Sequence, residues 1–237
     1  MIIPRSRSGA SPRSARPSPA SAGRLIVFEG IDGSGKTEQV RELCRRLSSA
    51  GIPHHATREP SDGPVGLLIR GILAGRHRIS GDHPMSADSL ALLFAAYRMD
   101  HLQREVNPAL ARGEVVVSDR WYHSSLAYQG TASDVSRILL LNEGARRPDL
   151  TILLCVDPVV AAARRVASGR LPDIFDDDEE QRRIFRGYGR VVDILSLRGE
   201  RIEVVDGGLG IPDVSAIAWY LVSSVLFDRL VSGRRES

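Results

Sequence analysis

Gly30-Ile31-Asp32-Gly33-Ser34-Gly35-Lys36-Thr37 fits the pattern G-x-x-x-x-G-K-[ST] at every required position. Those residue types suit one kind of chemistry. Glycines let the backbone curl until successive N–H groups point at phosphate oxygens. Lys36 offers a compact ammonium to β- and γ-phosphates, and the Thr37 hydroxyl is a hard oxygen ligand for Mg²⁺. Lys36 is the only lysine; the other 31 basic residues are arginine. A point charge stands where a planar guanidinium would not fit. The stretch predicts a nucleoside triphosphate site that wraps ATP phosphates from Gly30 to Thr37.

Such a loop works only between a strand and a helix. Residues 25–28 form a short apolar run rich in β-favouring types, and Val40, Leu43, Cys44 and Leu47 follow helical spacing up to Gly51. Further strands are expected at 52–57, 115–117, 150–156 and 201–205. They end respectively at Thr57-Arg58-Glu59-Pro60, Ser118-Asp119-Arg120, Asp157-Pro158 and Val205. Helices are expected at 65–73, in a long stretch from the cap Ser86 to Val106, from Ser133, at 179–197 and at 211–230. Residues 76–84 read as a polar loop and 164–178 as a charged one. Alternating strands and helices make a five-stranded parallel sheet with helices on both faces, the three-layer α/β sandwich of phosphate-loop NTPases. Ligands of such sheets gather at the carboxyl ends of the strands.

Composition narrows the partners. No apolar run approaches the roughly 20 residues of a membrane span. Cys44 and Cys155 read as buried thiols of a reducing, cytoplasmic compartment, and no Cys/His spacing suits zinc. The net charge of +3 misleads, because the first 24 residues hold five arginines and no acid. The remainder carries 27 cations against 29 acids, which does not indicate a nucleic-acid surface. Residues 1–23, built of Pro, Ser and Arg, are expected to be a disordered extension. Transit peptides share its Arg- and Ser-rich, acid-free composition, but Pro4, Pro12, Pro17 and Pro19 break the amphipathic helix these need. One domain is expected over 24–231, with a short tail at 232–237.

A guanine-type N-K-x-D motif cannot exist with one lysine, and no L-S-G-G-Q-like signature occurs, so a small phosphotransferase remains. Residues 25–60 read like F-E-G-x-D-G-x-G-K-T and T-R-E-P. Leu92-Leu93-Phe94-Ala95-Ala96-Tyr97-Arg98 reads like L-L-F-A-A-x-R. Asp119-Arg120 with Ser124-Ser125-Leu126-Ala127-Tyr128-Gln129-Gly130 reads like D-R-x-x-x-S-x-x-A-Y-Q-G. Arg147-Pro148-Asp149-Leu150 through Asp157-Pro158 follows P-D-L-T-[apolar]-D-x-D-P, lacking only its first Asp. In these ordered motifs, over about residues 24–207, the chain resembles the thymidylate (dTMP) kinases. The resemblance implies Mg²⁺-dependent phosphoryl transfer from ATP to dTMP. It puts Phe94 on the thymine ring, Arg98 and Ser125 at the base edge and Arg120 on the acceptor 5′-phosphate. It puts Asp32 on the sugar 3′-hydroxyl and Tyr128 against the 2′ position. Arg58 and Glu59 join the substrate site, Asp119 joins Thr37 at the metal, and a homodimer forms through the long helix.

Two departures stand out. Trp121 follows Asp-Arg where Tyr or His is common in the family. In the lid, D-R-x-E is replaced by Asp173-Ile174-Phe175-Asp176, and the loop position that some members fill with arginine is Gly33. Transfer still needs cations over the migrating phosphoryl group. Arg164, Arg165 and Arg170 are the available donors, and Arg165 and Arg170 are expected to act beside Lys36 and Arg120. The gap keeps two alternatives open: a kinase of the same fold for another monophosphate, or a nucleotide-binding regulatory module.

Overall fold

In a computed structural model of the chain, which describes residues 23–76, 85–169 and 173–227, Leu25, Ile26, Val27 and Phe28 are all fully excluded from solvent. The extension, most of the expected polar loop, Arg170 and the tail lie outside the described residues. A strand apolar on both faces belongs in the middle of a covered parallel sheet. That is where β1 (Arg24–Glu29) runs, with β2 (His54–Arg58), β3 (Val115–Asp119), β4 (Leu150–Cys155) and β5 (Ile202–Asp206) in the order β2-β3-β1-β4-β5. All neighbours pair in parallel, and the register sets Phe28 and Arg58 both opposite Asp119.

Alternation along β1 divides the core. Ile26 and Phe28 pack with Val117, Ile152 and Leu154 under α1 (Lys36–Ser49) and α9 (Ile211–Phe227). Leu25 and Val27 pack on the opposite face, under α3 (Ala87–His101), α4 (Asn107–Ala111), α5 (Tyr122–Tyr128), α6 (Val135–Leu141) and α8 (Asp178–Leu197). Each such fully buried side chain contributes about 1.5–3 kcal/mol. α2 (Pro64–Leu73) and α7 (Pro158–Ala167) stand over the carboxyl edge.

The five strands and the helices at 64–73, 178–197 and 211–227 fall where the sequence places them. The rest differs for local reasons. Ser86 Oγ accepts from Ser89 N and caps α3 as expected, but the long helix passes through one π-helical turn, Leu102–Val106, before α4. Asp134, not Ser133, caps α6, accepting from Ser136 N at 2.9 Å. Asp157-Pro158 starts a helix, with Asp157 Oδ1 accepting from Val159 N at 2.7 Å and Pro158 in the first turn. Arg164 and Arg165 therefore sit in the last turn of α7 and not on an open loop. Cys44 and Cys155 are half-buried free thiols rather than fully buried ones.

Candidate active site

The loop joins β1 to α1. Gly35 takes φ 94° at the start of α1 without any side-chain cap, so the first N–H groups of the helix stay open to an anion. Lys36 Nζ donates to Gly30 O and Ile31 O, both at 2.9 Å, and is almost wholly buried. Burial first, and then the Arg120 charge, push its pKa down to about 8 against the pull of Asp119, Asp32 and Glu29. Thr37 Oγ1 donates to Asp119 Oδ2 at 2.6 Å, so the carboxyl ends of β1 and β3 bring two hard oxygen ligands together. That donor set fits Mg²⁺, which binds a few protein oxygens and keeps its other positions for water and phosphate.

Beyond the loop opens a cavity of ≈ 350 Å³ lined by Asp32, Glu59, Phe94, Arg98, Arg120, Ser125 and Tyr128 among others. Arg98 is 1% exposed, one turn along α3 from Phe94. Its Nε donates to Glu59 at 2.9 Å, Nη2 to Glu59 and to Ser125 Oγ at 3.1 Å, and Nη1 to Asn142 Oδ1. Asn142 Nδ2 donates to Ile138 O at 2.8 Å, which fixes the amide with its oxygen toward Arg98. A guanidinium has five N–H donors, so one on Nη1 has no partner among the described residues. Gln129 is also buried here, and its Oε1 has no partner among the described residues. Trp121 is fully buried behind the pocket, its ring 5.9 Å from the Arg98 carbon.

Arg120 adopts φ 77°, the left-handed region, which swings its side chain back from β3 across the loop. Nη2 donates to Asp32 Oδ1 at 2.6 Å and Tyr128 OH at 2.9 Å; Nη1 donates to Ser124 Oγ at 2.9 Å and Gly30 O at 3.2 Å. This guanidinium stands between triphosphate loop and acceptor cavity, where a phosphate would take over N–H groups now held by Asp32 and Tyr128. Burial pushes the Tyr128 phenol far above its ordinary value, with Arg120 opposing, so its hydroxyl stays protonated.

The lid helix α7 touches the loop directly. A Cβ on Gly33 would lie 2.3 Å from Ala161 O, so this position has no room for an arginine. Arg164 and Arg165 straddle the loop. Arg164 Nη1 donates to Gly207 O at 2.8 Å, beside a groove of ≈ 410 Å³ along Ser34, Gly35 and Gln39. Arg165 goes to the cavity side: Nη1 donates to Asp32 O at 3.0 Å and Nε pairs with Asp176 at 3.3 Å. Its side chain is only 9% exposed, unlike a solvated surface charge.

A profile of the thymidylate kinase family matches residues 28–216. The chain belongs to the thymidylate kinase family. It is 38% identical over 209 residues to thymidylate kinase of Symbiobacterium thermophilum, covering 85% of this chain and 94% of the relative. It is 36% identical over 224 residues to thymidylate kinase of Rhodopseudomonas palustris, covering 91% and 95%. It is 41% identical over 185 residues to a probable thymidylate kinase of Pyrobaculum calidifontis, covering 78% and 88%.

Within this thymidylate kinase fold, the loop residues, Thr37 with Asp119, and the cavity residues from Asp32 to Tyr128 come together around one edge of the sheet. Arg58 does not join the cavity; it is exposed, donates to Asp62 at 2.9 Å and faces the neighbouring groove that holds Thr37 and Asp119. Arg170 lies outside the described residues. Sequence reading passed over Glu29, Gln129, Asn142 and Tyr188. Glu29 and Gln129 stand inside the F-E-G and A-Y-Q-G stretches, and a carboxylate closing an otherwise apolar strand was a usable signal. Asn142 and Tyr188 come from α6's end and α8, with nothing local to mark them.

Proposed function

We infer that the chain transfers the γ-phosphoryl group of ATP to dTMP, giving ADP and dTDP. The carrying observation is the cavity beside the loop, lined together by Phe94, Arg98, Ser125, Tyr128 and Arg120. Thymine offers a carbonyl at O4 and an N–H at N3. Arg98 can donate to the first, and Ser125 stands beside it to meet the second. Cytosine carries an amine in place of that carbonyl, which would set two donors face to face at Arg98. Phe94 stacks on the ring, Asp32 meets the 3′-hydroxyl, Tyr128 crowds the 2′ position and Glu59 holds Arg98.

ATP phosphates lie on the loop over Lys36, and its nucleoside extends into the groove beside Arg164 and Gly207. Mg²⁺ held by Thr37 and Asp119 would neutralise charge on the β- and γ-phosphates. The acceptor phosphate, gripped by Arg120, is already anionic near neutral pH and attacks the γ-phosphorus in line without a general base. Arg165 adds a cation on the side from which the acceptor comes. A near-buried arginine reaching the loop favours a working kinase over a regulatory module. Purified protein with Mg²⁺-ATP should phosphorylate dTMP faster than dCMP, dGMP or dAMP. Equal rates on all four, or none on dTMP, would sink this reading.

The functional unit is a homodimer built on α3 and its neighbours. Leu92 is 46%, Met99 38% and Leu140 65% exposed on α3 and α6, apolar surface that a second copy would cover. Sedimentation velocity should report about twice the 25.9 kDa chain mass. Leu92→Glu with Leu140→Glu should give the monomer, and an unaltered dimer would place the interface elsewhere. Cytoplasmic residence is supported by Cys44 and Cys155, both free thiols.

A further inference from the structure

We propose that Glu29, the last residue of β1, is a positioning residue for the Arg120 clamp, acting through the hydroxyls of Ser124 and Tyr188. The proposal rests on the reading of Arg120 as the acceptor-phosphate clamp. Glu29 is 1% exposed and its two oxygens divide the work. Oε1 accepts from Trp121 N at 2.7 Å and Ser124 N at 3.1 Å, anchoring the start of α5. Oε2 accepts from Ser124 Oγ at 2.7 Å and Tyr188 OH at 2.8 Å.

Glu29 sets the polarity of this network. A carboxylate can only accept, and Oε2 is nearer to each hydroxyl than the alternatives, 3.0 Å between Ser124 Oγ and Tyr188 OH and 3.2 Å from Tyr188 OH to Gly30 O, so both protons turn to Glu29. Both oxygens then turn lone pairs to Arg120 Nη1, at 2.9 Å from Ser124 and 3.3 Å from Tyr188. The other end of the fork is held by Asp32 and Tyr128, groups that also face the substrate. The Nη1 side rests on Ser124, Tyr188 and the loop carbonyl of Gly30, and the two hydroxyls among these are the ones tied to Glu29. That support is needed because Arg120 holds a left-handed backbone that a free arginine rarely adopts. Glutamine at position 29 keeps the shape, but its carbonyl must go on accepting from the Trp121 and Ser124 N–H groups, which turns its N–H₂ toward both hydroxyls. Their oxygens would then receive donors from two directions while their own protons lose the partner. Tyr188 sits on α8, which leads out of the lid, so the same network ties the clamp to that helix.

The test compares dTMP with thymidine, which lacks the phosphate, by calorimetric binding to the full chain. Arg120 should give dTMP its advantage over the nucleoside. Glu29→Gln should cut that advantage about tenfold while thymidine affinity stays within about twofold. Ser124→Ala with Tyr188→Phe, which leaves the carboxylate in place, should do the same. In an Arg120→Gln background, adding Glu29→Gln should change the ratio less than about twofold, because the interaction it supports has gone. An unchanged ratio in Glu29→Gln, or parallel loss of thymidine and dTMP binding, overturns the positioning role. If Glu29→Gln does not fold, the Ser124/Tyr188 double variant decides by the same ratio. If Arg120→Gln itself leaves the dTMP advantage intact, the clamp reading fails, and the proposal with it.

Discussion

Lys36→Ala should lower kcat about 10³-fold, because a cation on the transferred phosphoryl group is worth at least that in this chemistry. Lys36→Arg should not rescue it. The ammonium is 6% exposed and held at 2.9 Å by two loop carbonyls, a space shaped for a point charge. The same burial gives a pH signature. With its pKa pushed down to about 8, Lys36 is partly neutral in the empty protein just above neutrality. ATP phosphates favour the ammonium, so ATP binding should take up a proton above about pH 8 and weaken as pH rises further. Stability moves the other way. The unfolded chain holds this proton more tightly than the folded one, so the group's contribution to stability rises between about 8 and the ordinary 10.5. Calorimetry in buffers of different ionisation enthalpy reads the uptake directly. No uptake at pH 9, or full turnover in Lys36→Ala, would remove Lys36 from the phosphate site.

What the sequence made legible follows from how each feature is encoded. The loop, β1 and the start of α1 are contiguous, so residue types at fixed spacing specify them. The sheet was legible because Leu25 to Phe28 are apolar on both faces and the apolar runs of β1 and β3 close on Glu29 and Asp119. Helix α7 was not, because Arg164 and Arg165 look like loop charges in the sequence until the Asp157-Pro158 start is recognised as a cap. The support of Arg98 by Asn142, and of Arg120 by Glu29 and Tyr188, joins residues 44 to 159 positions apart. No local pattern records such a contact; only the closed sheet brings it about. Arg58 shows the converse: its motif neighbour Glu59 enters the cavity, while alternation along β2 sends Arg58 to the other side.

Arg165→Ala should lower kcat at least about 100-fold while leaving both Michaelis constants within about threefold. The lid lacks the arginine of D-R-x-E, and Gly33 cannot supply one, since any side chain there collides with Ala161 O. Arg165 is the described lid cation that reaches the loop on the acceptor side, donating to Asp32 O at 3.0 Å and steered by Asp176. A charge placed there meets negative charge that builds up only as the phosphoryl group moves, so its loss appears in kcat and not in binding. Arg164 supplies the contrast one residue away. Reaching Gly207 O on the nucleoside side, it should raise the Michaelis constant for ATP on removal and leave kcat nearly unchanged. Arg170→Ala, in the same assay, separates the two expected donors. Ile174→Arg restores the family residue at a position that is 40% exposed and whose N–H donates to Leu73 O on α2. With its backbone tied to α2, the new guanidinium still has solvent-side freedom to reach the cavity, and a rise in turnover of the Arg165→Ala protein would show that it does. If Arg164, Arg165 and Arg170 can each be replaced without loss of turnover, charge stabilisation by the lid is wrong, and Lys36 with Arg120 must carry the transition state alone.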